Sequence, residues 1–233
     1  RESDAWILGK DAMMELGPFV KCPHPEMIEA IGIAGFDFAV VDMEHTPLGP
    51  RDLYPLVLAA ECRGLPLVVR VPELSEVHLK WCLDLGVKRI QGPHVRGADD
   101  VRRAERWTKF PQLGARGLCR FVRAANFSAT PGREYLRLAR ENPVRLILQV
   151  EDIEGLDDLG LILASSPKGT TIFFGPYDIS ASMGKPGAVR DPEVTGAIEG
   201  AIRKCKGAGF KVGVFASNAQ EVQFWAERGA DLI

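Results

Sequence analysis

The chain has 233 residues, of which 29 are basic and 31 acidic, and 46% are hydrophobic. This length and apolar content favour one globular domain over residues 1–233, since barrels of this size commonly fold around one core. The formal net charge of -2 argues against nucleic acid as the main partner, because phosphate binding needs a concentrated basic surface.

Short apolar runs alternate with amphipathic stretches along the chain, the pattern of repeated βα units around a parallel sheet. The predicted strands are residues 17–21, 36–42, 65–71, 89–94, 145–151, 171–175, 211–215 and 230–233. Helical patterns lie at residues 25–33, 51–61, 75–85, 98–109, 133–140, 192–208 and 219–227. Several helices end at a glycine that can adopt the left-handed cap conformation. Eight such units predict a single (β/α)₈ TIM barrel.

An open doubly wound sheet is the alternative fold. That fold would carry a glycine-rich phosphate fingerprint after its first strand, and the sequence has none. Residues 96–142 form a longer insertion than one unit needs, and long insertions often carry function. A local cluster within it, Arg116, Arg120 and Arg123, fits either a solvated basic loop or a contact with an anionic small molecule.

Charged and polar side chains stand where the predicted strands end, which is where barrel enzymes carry their active sites. The residues at these ends are Asp42, Glu44, His45, Arg70, His94, Gln149, Glu151 and Asp178. Buried carboxylates repel each other unless a positive charge lies between them. Glu151 and Asp178 are therefore predicted to bind Mg²⁺, Mn²⁺ or Co²⁺, the cations that oxygen ligands suit. The alternative is that each residue caps the helix that follows it.

Three further side chains have a chemical and a structural interpretation. His45 is predicted to carry a proton near the metal, although it could be an ordinary loop histidine. Arg70 lies within a valine-rich strand, where a guanidinium is costly unless an anion faces it. That anion is Asp42 or Glu44, a substrate carboxylate, or a developing enolate oxygen. His94 is interpreted as a buried, hydrogen-bonded histidine rather than an acid or base.

The motifs DMEHTP, VVRV, QVED and GPYDISASMG closely resemble the HpcH/HpaI class II pyruvate aldolases, which include the 4-hydroxy-2-oxoheptanedioate aldolases. The resemblance runs from about Ile31 to the end of the chain and is weaker between Arg116 and Asn142. It implies an eight-stranded barrel whose last helix is exchanged between neighbours in hexamers built from dimers. The chain begins without Met and stops before that helix, so we expect it to be partial at both ends.

The resemblance also implies the roles of individual residues. Glu151 and Asp178 would hold the metal and Arg70 would steady the enolate, with His45 moving protons. Asp84 matches an aspartate that pairs with the histidine, and we expect this pairing to cross a subunit interface; the alternative is that Asp84 only ends its helix. The substrate-binding positions implied by the motifs are Gln149, Gly175, Pro176 and Tyr177.

The predicted activity is metal-dependent cleavage or formation of 4-hydroxy-2-oxoacids from a 2-oxoacid, pyruvate or oxaloacetate, and an aldehyde. The alternatives are a citrate-synthase-like condensation with oxaloacetate, a Schiff-base aldolase using Lys21, and a non-catalytic barrel that binds a dicarboxylate. Five cysteines without a CxxC pair predict a reducing cytoplasm. No apolar stretch reaches the roughly 20 residues that cross a bilayer, so no membrane contact is expected.

Overall fold

The computed structural model describes residues 14–233, so the predicted domain over residues 1–233 includes a short stretch outside the described residues. Strands and helices alternate through the described part, as the apolar periodicity predicts. A search of residues 14–233 finds no helix long and apolar enough to cross a membrane.

Seven parallel strands form one sheet, and each strand pairs with the next one in sequence. They are β1 (Phe19–Val20), β2 (Ala39–Asp42), β3 (Leu67–Arg70), β4 (Arg89–Gly92), β5 (Arg145–Val150), β6 (Thr171–Phe174) and β7 (Lys211–Val214). Each of the first seven predicted strands is found in shortened form, because its apolar run continues into the turns beyond the paired residues. The prediction of an α/β fold with a parallel sheet is confirmed.

The predicted eighth strand at residues 230–233 is present only as isolated bridges. Leu232 bridges Gly213 of β7 on one side and Glu15 on the other. The backbone N–H of Ile233 donates to the Glu15 carbonyl at 2.9 Å, and the Gly17 N–H donates to the Ile233 carbonyl at 2.9 Å. The observed architecture is therefore a curled parallel sheet of seven strands with this short segment against both of its edges.

Helices follow most of the strands and cover the outer face of the sheet. They are α1 (Pro25–Ala34), α2 (Pro50–Arg63), α3 (Glu76–Leu85), α4 (Ala98–Thr108), α5 (Gly132–Glu141), α6 (Ile153–Asp157), α7 (Leu159–Ser165), α8 (Pro176–Ser182), α9 (Pro192–Gly207) and α10 (Ala219–Ala226). The sequence did not predict α6, α7 and α8, which have 5, 7 and 7 residues. Helices this short show too few turns for an apolar period to be recognised.

Two glycines confirm the prediction that helices end at a glycine in the left-handed conformation just before the next strand. Gly35 after α1 and Gly86 after α3 have φ values of 85° and 98°. An L-residue with a side chain pays a steric cost in this left-handed region, whereas glycine does not. The chain therefore turns directly from each helix towards β2 and β4.

The inner face of the sheet is apolar at one end of the strands and polar at the other. At the apolar end, Val40, Val68, Ile147 and Phe173 form a buried cluster with Phe38 and Leu232. Because side chains alternate across a strand, the residues two positions further on also point inward. These positions are occupied by Asp42, Arg70, Gln149 and Gly175. The polar end of the inner face is thus the carboxyl end of the strands.

The stretch of the insertion that carries Arg116 and Arg123 lies at the opposite, amino-terminal end of the strands. Arg116 is 6% exposed and donates to the Leu83 carbonyl at 3.0 Å and to the Tyr135 hydroxyl at 3.1 Å. Arg123 donates to the Leu85 carbonyl at 2.7 Å and pairs with Glu61. Because two of the three arginines tie the insertion to α2 and α3, the interpretation as a solvated basic loop is wrong for them.

Candidate active site

Three neighbouring strands carry a row of polar side chains across the inner face. The strand register pairs Asp42 of β2 with Arg70 of β3, and Arg70 with Gln91 of β4. All three residues are less than 9% exposed. A buried polar row of this kind is stable only when its groups satisfy one another, so the contacts within it define the floor of the site.

Arg70 is held by two carboxylates and one aromatic ring. Its Nε and Nη2 donate to the two oxygens of Asp42 at 3.0 and 2.8 Å, and Nη1 lies 3.1 Å from Glu44 Oε2. The guanidinium carbon lies 4.8 Å from the centre of the Phe19 ring. A guanidinium fixed in this way is a rigid positive charge at the carboxyl end of the sheet.

The pKa of Asp42 shows the effect of this pairing. Burial alone would raise the pKa of the carboxyl, but hydrogen bonding and charge attraction from Arg70 hold it below its ordinary value. Ionised Asp42 therefore stabilises the fold above its unfolded-state pKa, and this contribution is lost as the pH falls through the lowered folded-state pKa.

Asp42 also shapes the loop that carries His45. Its Oδ1 accepts the backbone N–H groups of Glu44 at 3.1 Å and His45 at 3.2 Å. An aspartate that accepts from the residues following it forms a local turn. The turn leaves the His45 side chain 59% exposed, with its Nε2 3.9 Å from Glu44 Oε2.

Glu151 is a buried carboxylate directly after β5. It is 3% exposed, and its Oε2 accepts from Gln149 Nε2, while Gln149 Oε1 accepts from Gln91 Nε2. The neighbouring Asp152 caps α6 by accepting the Gly155 N–H at 2.8 Å. The capping role considered for Glu151 is thus filled by Asp152, and Glu151 is directed towards the inner face.

His94 brings Glu44 and Glu151 together. Its Nδ1 lies 2.9 Å from Glu151 Oε1, and its Nε2 lies 3.2 Å from Glu44 Oε1. One donor atom from each of these three residues lies within 4.8 Å of the others, a grouping that could hold a metal ion. The side chain of His94 is 56% exposed, so the interpretation as a buried histidine is wrong.

Two properties of the Glu44 carboxyl indicate that the group of Glu44, His94 and Glu151 lacks positive charge. Burial raises the pKa of its carboxyl; Arg70 opposes the rise, and the charge of Glu151 adds to it. Its Oε2 is buried without a hydrogen bond of good geometry, although Arg70 is close. A cation among Glu44, His94 and Glu151 would relieve this repulsion.

Asp178 faces the same space as Glu151. It lies in the first turn of α8, where its side chain is exposed. A Cβ atom built on Gly175 would lie 3.3 Å from Glu151 Oε2 and 3.5 Å from Asp178 Oδ2. One oxygen of each carboxylate thus lies within 3.5 Å of the same point above Gly175, at the carboxyl end of the sheet.

We expect Gly175→Ala to weaken divalent-cation binding without unfolding the protein. Its methyl group would fill the space between the two carboxylates, and affinity for Mn²⁺ should fall by about tenfold or more, the scale seen when metal ligands are displaced. Isothermal titration calorimetry with Mn²⁺ provides the measurement. Gly196→Ala in α9 is the control, because nothing lies within 4 Å of its added methyl. Equal affinity in the two variants would contradict the assignment.

Pro176 and Tyr177 begin α8 beside this point. Pro176 is the first helical residue. Tyr177 has a half-exposed ring 6.1 Å from that of Phe215, and its hydroxyl donates to Ser217 Oγ at 3.4 Å. Both residues therefore lie at the carboxyl end of the strands, next to Gly175.

Asp84 lies away from these groups. It is at the end of α3, with Oδ1 3.4 Å from Arg116 Nη2, whereas the acid within ion-pair distance of His45 in the described part of the chain is Glu44. Helix α3 ends where the chain enters β4, at the amino-terminal end of the sheet. Within this one chain, Asp84 and His45 are not brought together.

Gln91, Glu44 and His94 have parts in the site that the sequence did not predict. Gln91 follows a buried isoleucine on a short strand, and its alternation with Ile90 places it on the inner face. The alternation in β4 could therefore have identified Gln91. The approach of His94 to Glu44 could not be predicted, because His94 has a left-handed φ of 54° that no residue pattern predicts.

The family of the chain follows from comparison with known proteins. Residues 15–233 match the family model described as HpcH/HpaI aldolase/citrate lyase. The chain belongs to this family. Two curated HpcH/HpaI relatives are a 2-dehydro-3,6-dideoxy-6-sulfogluconate aldolase of Pseudomonas putida and a hydroxypyruvate/pyruvate aldolase of Paraburkholderia phytofirmans. The first is 35% identical, with 92% of this chain and 82% of the relative covered. The second is 32% identical, with 86% and 78% covered.

Solved structures of the family share the fold. An HpcH/HpaI protein from Burkholderia cenocepacia J2315 is 34% identical, with a TM-score of 0.88 over 96% of this chain and 88% of that one. The citrate synthase SbnG is 26% identical, with a TM-score of 0.81 over 94% and 85%. The family resemblance read from the motifs is therefore confirmed, and the relatives named above as aldolases support an aldolase or lyase activity.

Proposed function

We propose that this chain is a divalent-metal-dependent aldolase that cleaves or forms 4-hydroxy-2-oxoacids through a pyruvate enolate. The observation that carries the proposal is the approach of one oxygen of Glu151 and one of Asp178 to within 3.5 Å of the same point above Gly175. The fixed guanidinium of Arg70 stands at the same end of the strands. A positive charge is needed wherever an enolate develops.

The donors at this point suit Mg²⁺, Mn²⁺ or Co²⁺. Glu151 and Asp178 offer carboxylate oxygens, and the space a Cβ would fill at Gly175 lies between them. When bound, the cation would supply Lewis-acid polarisation of the 2-oxo oxygen of the substrate. Gln149 holds Glu151 in place through its amide, in the manner of side chains that orient metal ligands.

The remaining chemistry falls to side chains of this chain. Arg70 would stabilise the negative charge that develops on the enolate oxygen, because Asp42 and Glu44 prevent its guanidinium from moving away. His45 is exposed at the mouth and would accept the proton of the 4-hydroxyl group during cleavage. Backbone N–H groups near Tyr177 and Asp178, beside Gly175 and Pro176 at the start of α8, would bind the substrate carboxylate.

A Schiff-base route through Lys21 is the nearest chemical rival. A catalytic lysine of that type stands in a desolvated, apolar setting. The side chain of Lys21 is instead 55% exposed, and its Nζ lies 3.3 Å from Asp42 Oδ2. The setting of Lys21 therefore favours the metal route.

The two routes predict opposite outcomes in one pair of assays. We expect EDTA to abolish pyruvate release from 4-hydroxy-2-oxoacids and added Mn²⁺, Mg²⁺ or Co²⁺ to restore it. Borohydride with pyruvate should leave no lysine adduct in the mass spectrum. Chelator-resistant activity with a trapped lysine would instead establish the Schiff-base route. No pyruvate release from any such substrate would favour a non-catalytic, dicarboxylate-binding barrel.

A citrate-synthase-like condensation is the second candidate, favoured by the likeness to the citrate synthase SbnG. It would use the same cation and Arg70 with oxaloacetate in place of pyruvate. Product analysis with oxaloacetate and acetyl-CoA separates the two: formation of citrate without pyruvate release would support the condensation.

The proposal extends to architecture and assembly. We infer one eight-stranded barrel over residues 1–233, completed by residues 230–233. We also infer a cytoplasmic homo-oligomer in which Asp84 meets His45 of another copy.

Asp84 borders an exposed groove of about 640 Å³ lined by Tyr54, Trp81 and Phe127. This is an apolar surface that a neighbouring copy would cover. Sedimentation velocity tests this point, and a monomer at micromolar concentration would contradict it.

A further inference from the structure

We propose that His94 supplies an imidazole nitrogen to the divalent cation at Glu151, so that the cation has a nitrogen ligand as well as carboxylate oxygens. The inference rests on the proposed function, because it concerns the same cation. None of the motifs that identify the family includes His94, which follows β4 in the segment Gln91-Gly92-Pro93-His94.

The backbone directs His94 towards Glu151. Its N–H donates to Glu151 Oε1 at 2.8 Å, and its ring Nδ1 lies 2.9 Å from the same oxygen. The residue has a φ of 54°, a left-handed conformation that is strained for residues other than glycine and concentrates at functional sites. The backbone and ring together thus hold an imidazole against a buried carboxylate.

The two ring nitrogens have different surroundings. Nε2 lies 3.2 Å from Glu44 Oε1, and the other oxygen of Glu44 lies 3.1 Å from Arg70 Nη1. A histidine that binds a metal with one nitrogen usually donates the other N–H to a carboxylate. Glu44 is in that position, and with the proton on Nε2 the Nδ1 atom would direct a lone pair at Glu151.

A lone pair facing a carboxylate oxygen at 2.9 Å requires something positive nearby. A cation at about 2.1 Å from nitrogen and oxygen ligands separates neighbouring ligand atoms by about 3 Å, and the spacing of Nδ1 and Glu151 Oε1 matches this value. A second ring proton would satisfy the same pair, so the test must detect the metal–nitrogen bond itself.

The test is electron spin-echo envelope modulation on protein loaded with Mn²⁺ alone. We expect ¹⁴N modulation in the wild type that changes when only the histidines carry ¹⁵N. We expect it to disappear in His94→Asn while Mn²⁺ remains bound through Glu151 and Asp178. Asparagine tolerates the left-handed conformation of this position, so the backbone is preserved. His78→Gln in α3 is the matched control, because His78 contacts Ser75, and it should retain the modulation.

A second measurement follows cation preference. Imidazole favours Co²⁺ over Mg²⁺, so His94→Asn should lose about 10–100-fold in Co²⁺ affinity and clearly less in Mg²⁺ affinity by calorimetry. The inference would be overturned if histidine modulation were absent from the wild type or persisted in His94→Asn. If Glu151→Gln still abolished Mn²⁺ binding in that case, the proposed metal site would stand and only the role of His94 would fall. Mn²⁺ binding that is absent, or unaffected by Glu151→Gln, would overturn both this inference and the proposed metal site.

Discussion

Arg70→Ala is expected to lower kcat/KM for pyruvate release by about 10²–10³-fold, the scale of losing a donor that stabilises an oxyanion. The guanidinium makes three close contacts with Asp42 and Glu44, so its charge is already in position before the enolate forms. Steady-state kinetics with a saturating divalent cation measure the effect. Turnover close to that of the wild type would remove Arg70 from the mechanism.

The same substitution should destabilise the fold, and the two effects need separation. Removing Arg70 leaves Asp42 and Glu44 buried without their shared guanidinium, a change that costs about 3–5 kcal/mol in comparable pairs. Burial would then raise the pKa of Asp42, opposed only by the His45 N–H and by Lys21. The destabilisation should thus be greatest near neutral pH and shrink as the pH falls and the carboxylates become protonated. Urea unfolding at several pH values tests this.

Arg70→Lys is the matched variant for the kinetics. It keeps the charge but cannot make the two parallel hydrogen bonds to Asp42. We expect a stability closer to that of the wild type together with a clear loss of kcat. If Arg70→Lys and the wild type turned over equally, positive charge alone would suffice, and the fixed geometry of the guanidinium would have no role.

Glu151→Gln and Asp178→Asn are expected to abolish tight cation binding and, with it, pyruvate release. Each substitution removes a negative charge from the point above Gly175 while nearly preserving side-chain shape. We expect Mn²⁺ affinity to fall by about 100-fold or more in each variant, with little change in folding. Calorimetric titration and metal analysis after dialysis provide the measurement.

Asp152→Asn is the control for these two variants. Asp152 is adjacent to Glu151 but caps α6, and asparagine caps a helix as well as aspartate does. The variant therefore loses one negative charge next to the site and keeps the structure. If Asp152→Asn weakened Mn²⁺ binding as much as Glu151→Gln, the effect would reflect general charge rather than ligation.

The sequence predicted the fold class and the end of the sheet where the site lies, for reasons visible in the structure. Buried parallel strands produce continuous apolar runs, and a carboxylate or guanidinium within or just after such a run is conspicuous. Asp42, Arg70 and Glu151 were found in this way. The eighth strand was predicted from the same kind of run, but residues 230–233 form only bridges.

What the sequence could not predict depends on contacts between distant segments. Glu44 follows β2 and His94 follows β4, and they meet only because the sheet brings the ends of these two strands close together on either side of β3. The burial of Arg116 depends on the Tyr135 hydroxyl and the ring of Phe110, which follow no local pattern. Distances between side chains on different strands require the register, and the sequence alone does not give it.

Asp42 connects two groups that the proposed reaction treats as separate. One of its oxygens accepts from Arg70 Nε as well as from the N–H groups of Glu44 and His45. A shift of this carboxylate would therefore displace both the electrostatic anchor and the proton acceptor at once. Substitutions at Arg70 and His45 should consequently show epistasis rather than independent effects, because one shared oxygen positions both residues.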